Sequence, residues 1–429
     1  MLTPLSYMKG REDIEQHVGA RRWAIVALAF TAIMLNYVDR QVIALLKPML
    51  QGEYGWSDRD YSHMASAFQF CAAVSFLGTG WFIDRMGLRR GFAIGVAAWS
   101  IAGMAHAFVS SVAGFIGVRA LLGAAESIGT PAQVKTAGTY FPPEQRSLML
   151  GIGNMASNFG AVVAPLTVPA LALWLGWRAA FLITGGLGFV WVVAWLIVTP
   201  RTGRVDKVAG VAEAGAVPWT SLLRDRRQWA VVAAKALSDQ CWWFLLFFMP
   251  DLFHRMFGLS QGELGLPIAF IYALAALGSL SGGILPTWLM SRGVDIDRAR
   301  KGSMLVYALL ILPVPTVLLT GDAWVAAALL GLGLFAHQGF STNVFGMTAD
   351  IFPASMIGTA IGIGAFAGNL TGMAMIEGAG FSLDNGYGYA PLLLLCGGSY
   401  LVALLLVQLL VPRLTLAEPG TPRVVPVGH

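Results

Sequence analysis

Charge is what this sequence has least of. Asp, Glu, Lys and Arg make up 12% of its 429 residues, about half the share of a soluble chain. Two or three soluble domains of this combined length would each need a charged surface, so that organisation is excluded. Cysteine is rarer still: Cys71, Cys241 and Cys396 stand far apart, each inside an apolar stretch. They form neither a disulfide framework nor a metal-ligand set, and read as small buried hydrophobes. Also missing are a Ser/His/Asp constellation and a phosphate-cradling loop, so no enzymatic activity, metal or cofactor is expected. There is no sign of a cleavable signal peptide. The first twenty residues are polar, with Arg11, Glu12, Asp13 and Glu15, and the first long apolar run already has the length of a membrane span.

What the chain does have is apolar bulk. Hydrophobic residues reach 56% and mean hydropathy +0.67, with 51 Gly and 14 Trp. That composition suits helices packed closely in a lipid bilayer. A hydrocarbon core about 30 Å thick is crossed by about 20 apolar residues. Twelve runs meet that length, near 23–46, 64–83, 91–109, 112–139, 147–173, 178–199, 229–253, 263–290, 302–320, 323–348, 357–380 and 388–411. A polar stretch from Arg201 to Gln228 separates the first six from the last six. The predicted fold is therefore all-α and membrane-integral. Residues 1–199 and 229–429 form two six-helix bundles, and 200–228 the loop between them.

An even number of spans puts both termini on one face. The loops of that face hold 20 Lys and Arg, the opposite loops only Lys47, Arg59, Arg178 and Arg255. Four more, Arg40, Arg119, Lys135 and Lys235, fall inside spans. This bias places both termini in the cytoplasm of an inner-membrane protein. It also accounts for the net charge of +5 without a nucleic-acid partner, because the cations sit in short loops between apolar runs.

The two halves carry traces of one repeat. A shift of 211 residues aligns Phe141-Pro142 with Phe352-Pro353, Gly151-Ile152-Gly153 with Gly362-Ile363-Gly364, Ala156 with Ala367 and Asn158 with Asn369. That is 7 identities in the 21 positions from 141 to 161, and it pairs the fifth helix with the eleventh. Parallel repeats of this kind enclose a midplane cavity. Small residues at a spacing of four, Gly153, Ser157 and Ala161 in one helix and Gly364, Gly368 and Gly372 in the other, mark faces where another helix can approach closely.

The loop Gly80-Trp81-Phe82-Ile83-Asp84-Arg85-Met86-Gly87-Leu88-Arg89-Arg90 sets an acid at a helix end among three cations, with a glycine for a tight turn. It resembles the signature loop of the major facilitator superfamily, in which the equivalent charges lock the halves in one state of alternating access. The resemblance assigns this switch role to Asp84, Arg85, Gly87 and Arg89. Tyr140-Phe141-Pro142-Pro143-Glu144-Gln145-Arg146 resembles the family's Pro-Glu-x-Arg loop, which adds Glu144 and Arg146. The counterpart after the eighth span, Gly282-Gly283 to Arg292-Gly293, is degenerate and lacks the acid. Within the superfamily, Asn36-Tyr37-Val38-Asp39-Arg40 and Arg119-Ala120-Leu121-Leu122-Gly123-Ala124-Ala125-Glu126 look like the anion:cation symporters. Ala336-His337-Gln338 and the Lys235/Asp239 pair look closest to their hexuronate transporters.

A charge at the centre of a bilayer costs at least about 2.5–3.5 kcal/mol, so such residues mark working sites. Arg40 is the foremost candidate ligand, because a guanidinium stays ionised when desolvated and grips a carboxylate through two parallel hydrogen bonds. Asp39 points about 100° away from it on a helix. Tyr37 shares the face of Arg40 and can offer a hydroxyl. Arg119 and Glu126 lie two turns apart on one face, about 10 Å along the axis. A carboxylate there, beside an arginine whose distance changes between states, could load and release a proton. The resemblance gives proton coupling to Asp39 and Glu126. Lys235 and Asp239 can pair at i and i+4; if Asp239 is partly diverted, Lys235 adds a second cation from the other half. Asn158, Asn369, His337 and Gln338 are candidate hydroxyl ligands, or equally interhelical hydrogen-bonding groups. Trp242 and Trp243 could stack on a sugar ring or face lipid. Lys135 and Glu377 fall towards span ends, where long side chains snorkel.

Taken with the resemblance, these residues imply a monomeric symporter that carries a proton with a small organic anion such as a hexuronate or related sugar acid. An organophosphate or phosphate antiporter of the same fold is the alternative, since cations from both halves would also hold a phosphate.

Overall fold

The computed structural model describes residues 21–141, 143–199 and 219–414, without the side chains of 143–148, 150–154, 219 and 354–355. The described residues form twelve long helices and no strand. They are α1 (Arg22–Tyr54), α2 (Asp58–Met86), α3 (Leu88–Ala105), α4 (Val112–Tyr140), α5 (Pro143–Leu175), α6 (Trp177–Val198), α7 (Arg226–Phe257), α8 (Gly265–Ser291), α9 (Ile296–Leu310), α10 (Ala323–Ile351), α11 (Ala354–Asp384) and α12 (Ala390–Leu410). Short 3-10 turns, His106–Phe108 and Val314–Leu319, extend α3 and α9. Every one of the twelve is long and apolar enough to cross a bilayer, in the order of the twelve apolar runs.

Caps set the helix ends. Ser57 accepts from the Asp60 amide while Asp60 accepts from that of Ser57, a reciprocal box that starts α2. Ser111, Asp225, Asp295 and Asp322 accept in the same way at the starts of α4, α7, α9 and α10. α1 and α7, the opening helices of the two sets of six, each end on a glycine with positive φ, Gly55 at 66° and Gly258 at 67°. The repeat shows in the boundaries too. α4 and α10 begin at 112 and 323, α5 and α11 at 143 and 354, each pair 211 apart.

Within the first six helices α1 packs on α5 and α6, α2 on α4, and α3 on α6; within the last six α7 packs on α11 and α12, and α8 on α10. The two sets meet along α2 with α11, α5 with α8 and α1 with α7. We call the end at Arg21 the near end and the end at Gly55 the far end. Between the sets, hydrogen bonds and ion pairs join described residues from the midplane to the far end. They include Gln69–Asn369, His63–Glu377, Tyr61 to the Phe247 carbonyl, and Gln261 to the Leu45 carbonyl. The near-end pairs Asp84–Lys135, Asp225–Arg227 and Asp350–Arg300 each stay within one set. The far end is thus drawn together.

The end of the first span departs furthest from the sequence reading. The first span was expected to stop near 46, with Lys47 in a loop; instead α1 runs on to Tyr54, through Pro48, and Lys47 is fully buried. Arg255, also expected in a loop, belongs to the last turn of α7. Both cations meet buried carboxylates, which offset the cost of desolvation and let each helix continue past its charge.

Candidate functional site

The site begins with a break in α4. Pro131 has no amide to give the Ser127 carbonyl, so the helix is interrupted at Ser127 and Ile128, directly after Glu126. A carbonyl released inside a membrane needs a new donor, and Asn36 Nδ2 supplies it to Glu126 at 3.3 Å. One turn along α1, Arg40 turns its fork to the same residue. Its Nε and one terminal nitrogen each lie 3.2 Å from Glu126 Oε2, and that terminal nitrogen also donates to Asn36 Oδ1 at 3.2 Å. Glu126 is therefore held by α1 at both its backbone and its carboxylate.

Arg40, not Arg119, is the ion-pair partner of Glu126. Arg119 is fully buried; it donates to the Arg40 carbonyl at 3.4 Å and lies 4.6 Å above the Phe68 ring. Its Nε and other terminal nitrogen have no partner among the described residues, nor do Asp39 Oδ2 and Glu126 Oε1. Asp39, also buried, turns away from Arg40 towards Thr184 of α6. Two arginines and two carboxylates thus share a buried space with hydrogen-bonding capacity to spare, a condition that native interiors seldom tolerate without a use.

Tyr37 presents its ring to Arg40, 4.9 Å from the guanidinium; Phe68 stands at 5.1 Å and Trp243, from α7, at 5.4 Å. Lys235 of α7 is engaged: 2.7 Å from Asp239 and 3.3 Å from the Ser341 hydroxyl. His337 Nδ1 meets the Tyr400 hydroxyl at 2.7 Å, and Tyr400 donates to the Ser238 carbonyl, so Nδ1 carries the ring proton. The imidazole stacks on Trp242 at 5.3 Å. Gln338, one residue on, is half-buried. Asn369 joins α11 to Gln69 of α2 at 2.5 Å, and Asn158 is buried in α5. The small-residue face of α11 lies against α7, where Gly364, Gly368 and Gly372 meet Lys235, Asp239 and Trp243.

Twelve spans in two related sets of six, with charges gathered at the midplane, agree with the sequence match. The profile of the Major Facilitator Superfamily matches residues 29–376. The chain belongs to this superfamily. It is a membrane transporter and not an enzyme. The hexuronate transporter of Escherichia coli strain K12 is 28% identical over 390 residues, which span 86% of this chain and 89% of that one. The D-galactonate transporter of Escherichia coli O6:H1 is 26% identical over 416 residues, 92% of this chain and 96% of that one. A bacterial homolog of the human lysosomal transporter Spinster, in an inward-facing and occupied crystal structure, gives a TM-score of 0.71 at 18% identity. It covers 91% of this chain and 95% of that one, and shows that the fold is shared.

The loop that resembles the superfamily's signature sits at the near end. Asp84 pairs with Lys135 of α4 at 2.6 Å, Arg85 lies over Trp81, and Gly87 turns the chain at φ 76°. Arg89 caps α6 by donating to the Leu196 and Thr199 carbonyls at 2.6 and 3.1 Å. The side chains of Glu144 and Arg146 lie outside the described residues.

The sequence reading had no role for a second charged cluster, at the far end. Lys47 and Asp58 come from the first six helices, Asp251 and Arg255 from the last six. Lys47 lies 2.8 Å from Asp58 and 3.0 Å from Asp251; Arg255 lies 2.6 Å from Asp58 and 2.9 Å from Asp251. Each cation therefore meets both acids. Tyr389 hydrogen-bonds Asp251, Gln51 donates to Asp58, and Asp384 accepts from the first amides of α2. Asp58 and Asp251 sit at or near apolar span ends, and only their distance to two cations distinguishes them from helix-capping or loop acids.

Proposed function

We propose that this protein imports a hexuronate or related sugar acid together with protons, by alternating access, and that Arg40 and Glu126 form the coupling centre. The observation that carries the reading is the claim of Glu126 on the Arg40 fork. A substrate carboxylate needs that same fork, so anion and ionised Glu126 compete for it. Protonation of Glu126 withdraws its charge and frees Arg40 for the anion; loss of the proton on the inner side restores the pair and expels the substrate. Proton and anion then favour each other's binding, as linkage requires. Asp39 is the second proton carrier, and Arg119 holds the field positive around the anion. The hexuronate and D-galactonate transporters among the relatives support this substrate class.

In this reading the near end faces the cytoplasm, with both termini. Residues 1–199 and 229–429 are the rocking bodies, 200–228 joins them, and the protein works as a monomer. The far-end ring of Lys47, Asp58, Asp251 and Arg255 closes the outer side. Asp84, Arg85, Gly87 and Arg89, with Glu144 and Arg146, close the inner side in the opposite state. Tyr37, Asn158, His337, Gln338 and Asn369 are offered to the substrate as the halves move. A phosphate antiporter would want Lys235 free, whereas it is bound to Asp239 and Ser341.

The test is uptake of labelled glucuronate into proteoliposomes under an inward proton gradient. Uptake driven by the gradient and blocked by unlabelled uronate establishes the symporter. Uptake that needs preloaded substrate, ignores the gradient and is blocked by a hexose phosphate refutes it.

A further inference from the structure

If Arg40 takes the carboxylate, something from the second half has to read the rest of the substrate. Lys235 is poorly placed for this, since its ammonium is already shared between Asp239 and Ser341. Trp242 is buried and stacked on His337. Trp243 differs from both. It reaches across the boundary between the halves to stand 5.4 Å from the Arg40 guanidinium, and it is only partly buried. Behind it, Gly372 of α11 presses so close that a Cβ there would collide with the indole, and Phe247 stacks on it at 6.4 Å. The ring is held by Gly372 and Phe247, and the Arg40 guanidinium lies over its face.

We propose that Trp243 is the platform for the pyranose ring of the substrate, so that the second half selects cyclic sugar acids over open-chain ones. The inference rests on the proposed function and deepens it. A carboxylate meets a guanidinium edge-on, in its plane. Since the Arg40 guanidinium lies over the indole face, turning the fork to the carboxylate carries the attached ring onto that face. A pyranose offers a flat patch of C–H groups that an aromatic face covers well. An open-chain aldonate carries hydroxyls along a flexible backbone, has no such patch, and loses more rotamer freedom on ordering. Gly372 is a positioning residue, because its missing side chain leaves the indole its place. Tyr37 and Phe68, which also flank Arg40, belong to the first half. Trp243 alone among these three rings arrives with the second half, so it also couples substrate recognition to the approach of the two halves.

The test is binding of labelled D-glucuronate and D-galactonate to the purified full-length protein. Losing the covered face in Trp243→Ala weakens glucuronate by about tenfold and galactonate by less than about threefold. Trp243→Phe recovers most of the glucuronate affinity. Gly372→Ala, which displaces the indole without removing it, moves selectivity the same way as Trp243→Ala. An equal loss for both acids, or no loss for glucuronate, overturns the platform while leaving the transporter reading standing. A wild-type protein that binds neither acid overturns the proposed function, and the platform with it. If Trp243→Ala does not fold, the comparison of Trp243→Phe with Gly372→Ala decides: selectivity unchanged in both removes Trp243 from the site.

Discussion

Two clusters of two cations and two acids sit in this protein, and they differ in how fully their charges are paired. At the far end, Lys47 and Arg255 each contact both Asp58 and Asp251. At the midplane, among the described residues, Arg40 alone pairs with Glu126, and Asp39, Arg119 and Glu126 all keep polar atoms without partners. In the far-end ring every charged group meets two others, although Asp251 Oδ1 has no partner among the described residues; in the midplane set three groups keep such atoms, so it is the freer of the two to exchange partners. The far-end ring has a further property. Each half contributes one cation and one acid, so parting the halves breaks Lys47–Asp251 and Arg255–Asp58 but leaves Lys47–Asp58 and Arg255–Asp251 intact. Each half stays neutral, and the seal can open at modest cost. The midplane set lies wholly on α1 and α4 of the first half, so the proposed binding centre stays within one body whichever way the halves tilt.

The comparison is broken most severely at Arg40. Arg40→Lys keeps the charge but loses the fork, and glucuronate binding is expected to fall about 100-fold, a loss of about 3 kcal/mol for a bidentate charged pair. Unchanged affinity in a titration of the purified variant would remove Arg40 from the site. Next comes the far-end ring. Asp251→Asn removes the Lys47–Asp251 contact that crosses the halves, which weakens the closed far end by up to about 3 kcal/mol; the lost Arg255 contact lies within α7 in both states. A cysteine placed at Ser62, buried against Gly380, should then react faster with an impermeant maleimide. Labelling as slow as with Asp251 present would mean that the ring does not seal the far end. The smallest expected effect is at Gln69 and Asn369. Asn369→Ala removes one cross-half hydrogen bond, about 1 kcal/mol, and should change the KM for uptake by severalfold without abolishing accumulation. Abolished accumulation would mean that Asn369 does more than join the halves and assist substrate binding.

The number and order of the spans were legible because each is an apolar run of the length a bilayer demands. Arg40, Glu126, Lys235 and Asp239 were legible as charges inside such runs. What the sequence hid was partnership. Arg119 and Glu126 share a helix face, yet α1 brings Arg40 to Glu126, a contact of residues 86 apart. Gly129-Thr130-Pro131 announces a helix break, but a span of 112–139 reads as continuous in hydropathy alone. Asn36 and Gln69 are neutral amides, indistinguishable by composition from packing residues. Lys47 and Arg255 stand at the ends of apolar runs, where a charge most often belongs to a loop; only the fold shows that they face each other's acids. Trp243 could face sugar or lipid until α7 was seen to turn it towards Arg40.

The central claim is that Glu126 and the anion compete for Arg40 and that a proton settles the competition. Its most direct test is proton uptake on binding: glucuronate added to purified protein in weakly buffered solution near neutral pH, with a pH-indicating dye. The account predicts that binding withdraws protons from solution, and that Glu126→Gln binds the anion with most of this uptake lost. Binding of glucuronate without proton uptake, or with the same uptake in Glu126→Gln, would contradict it.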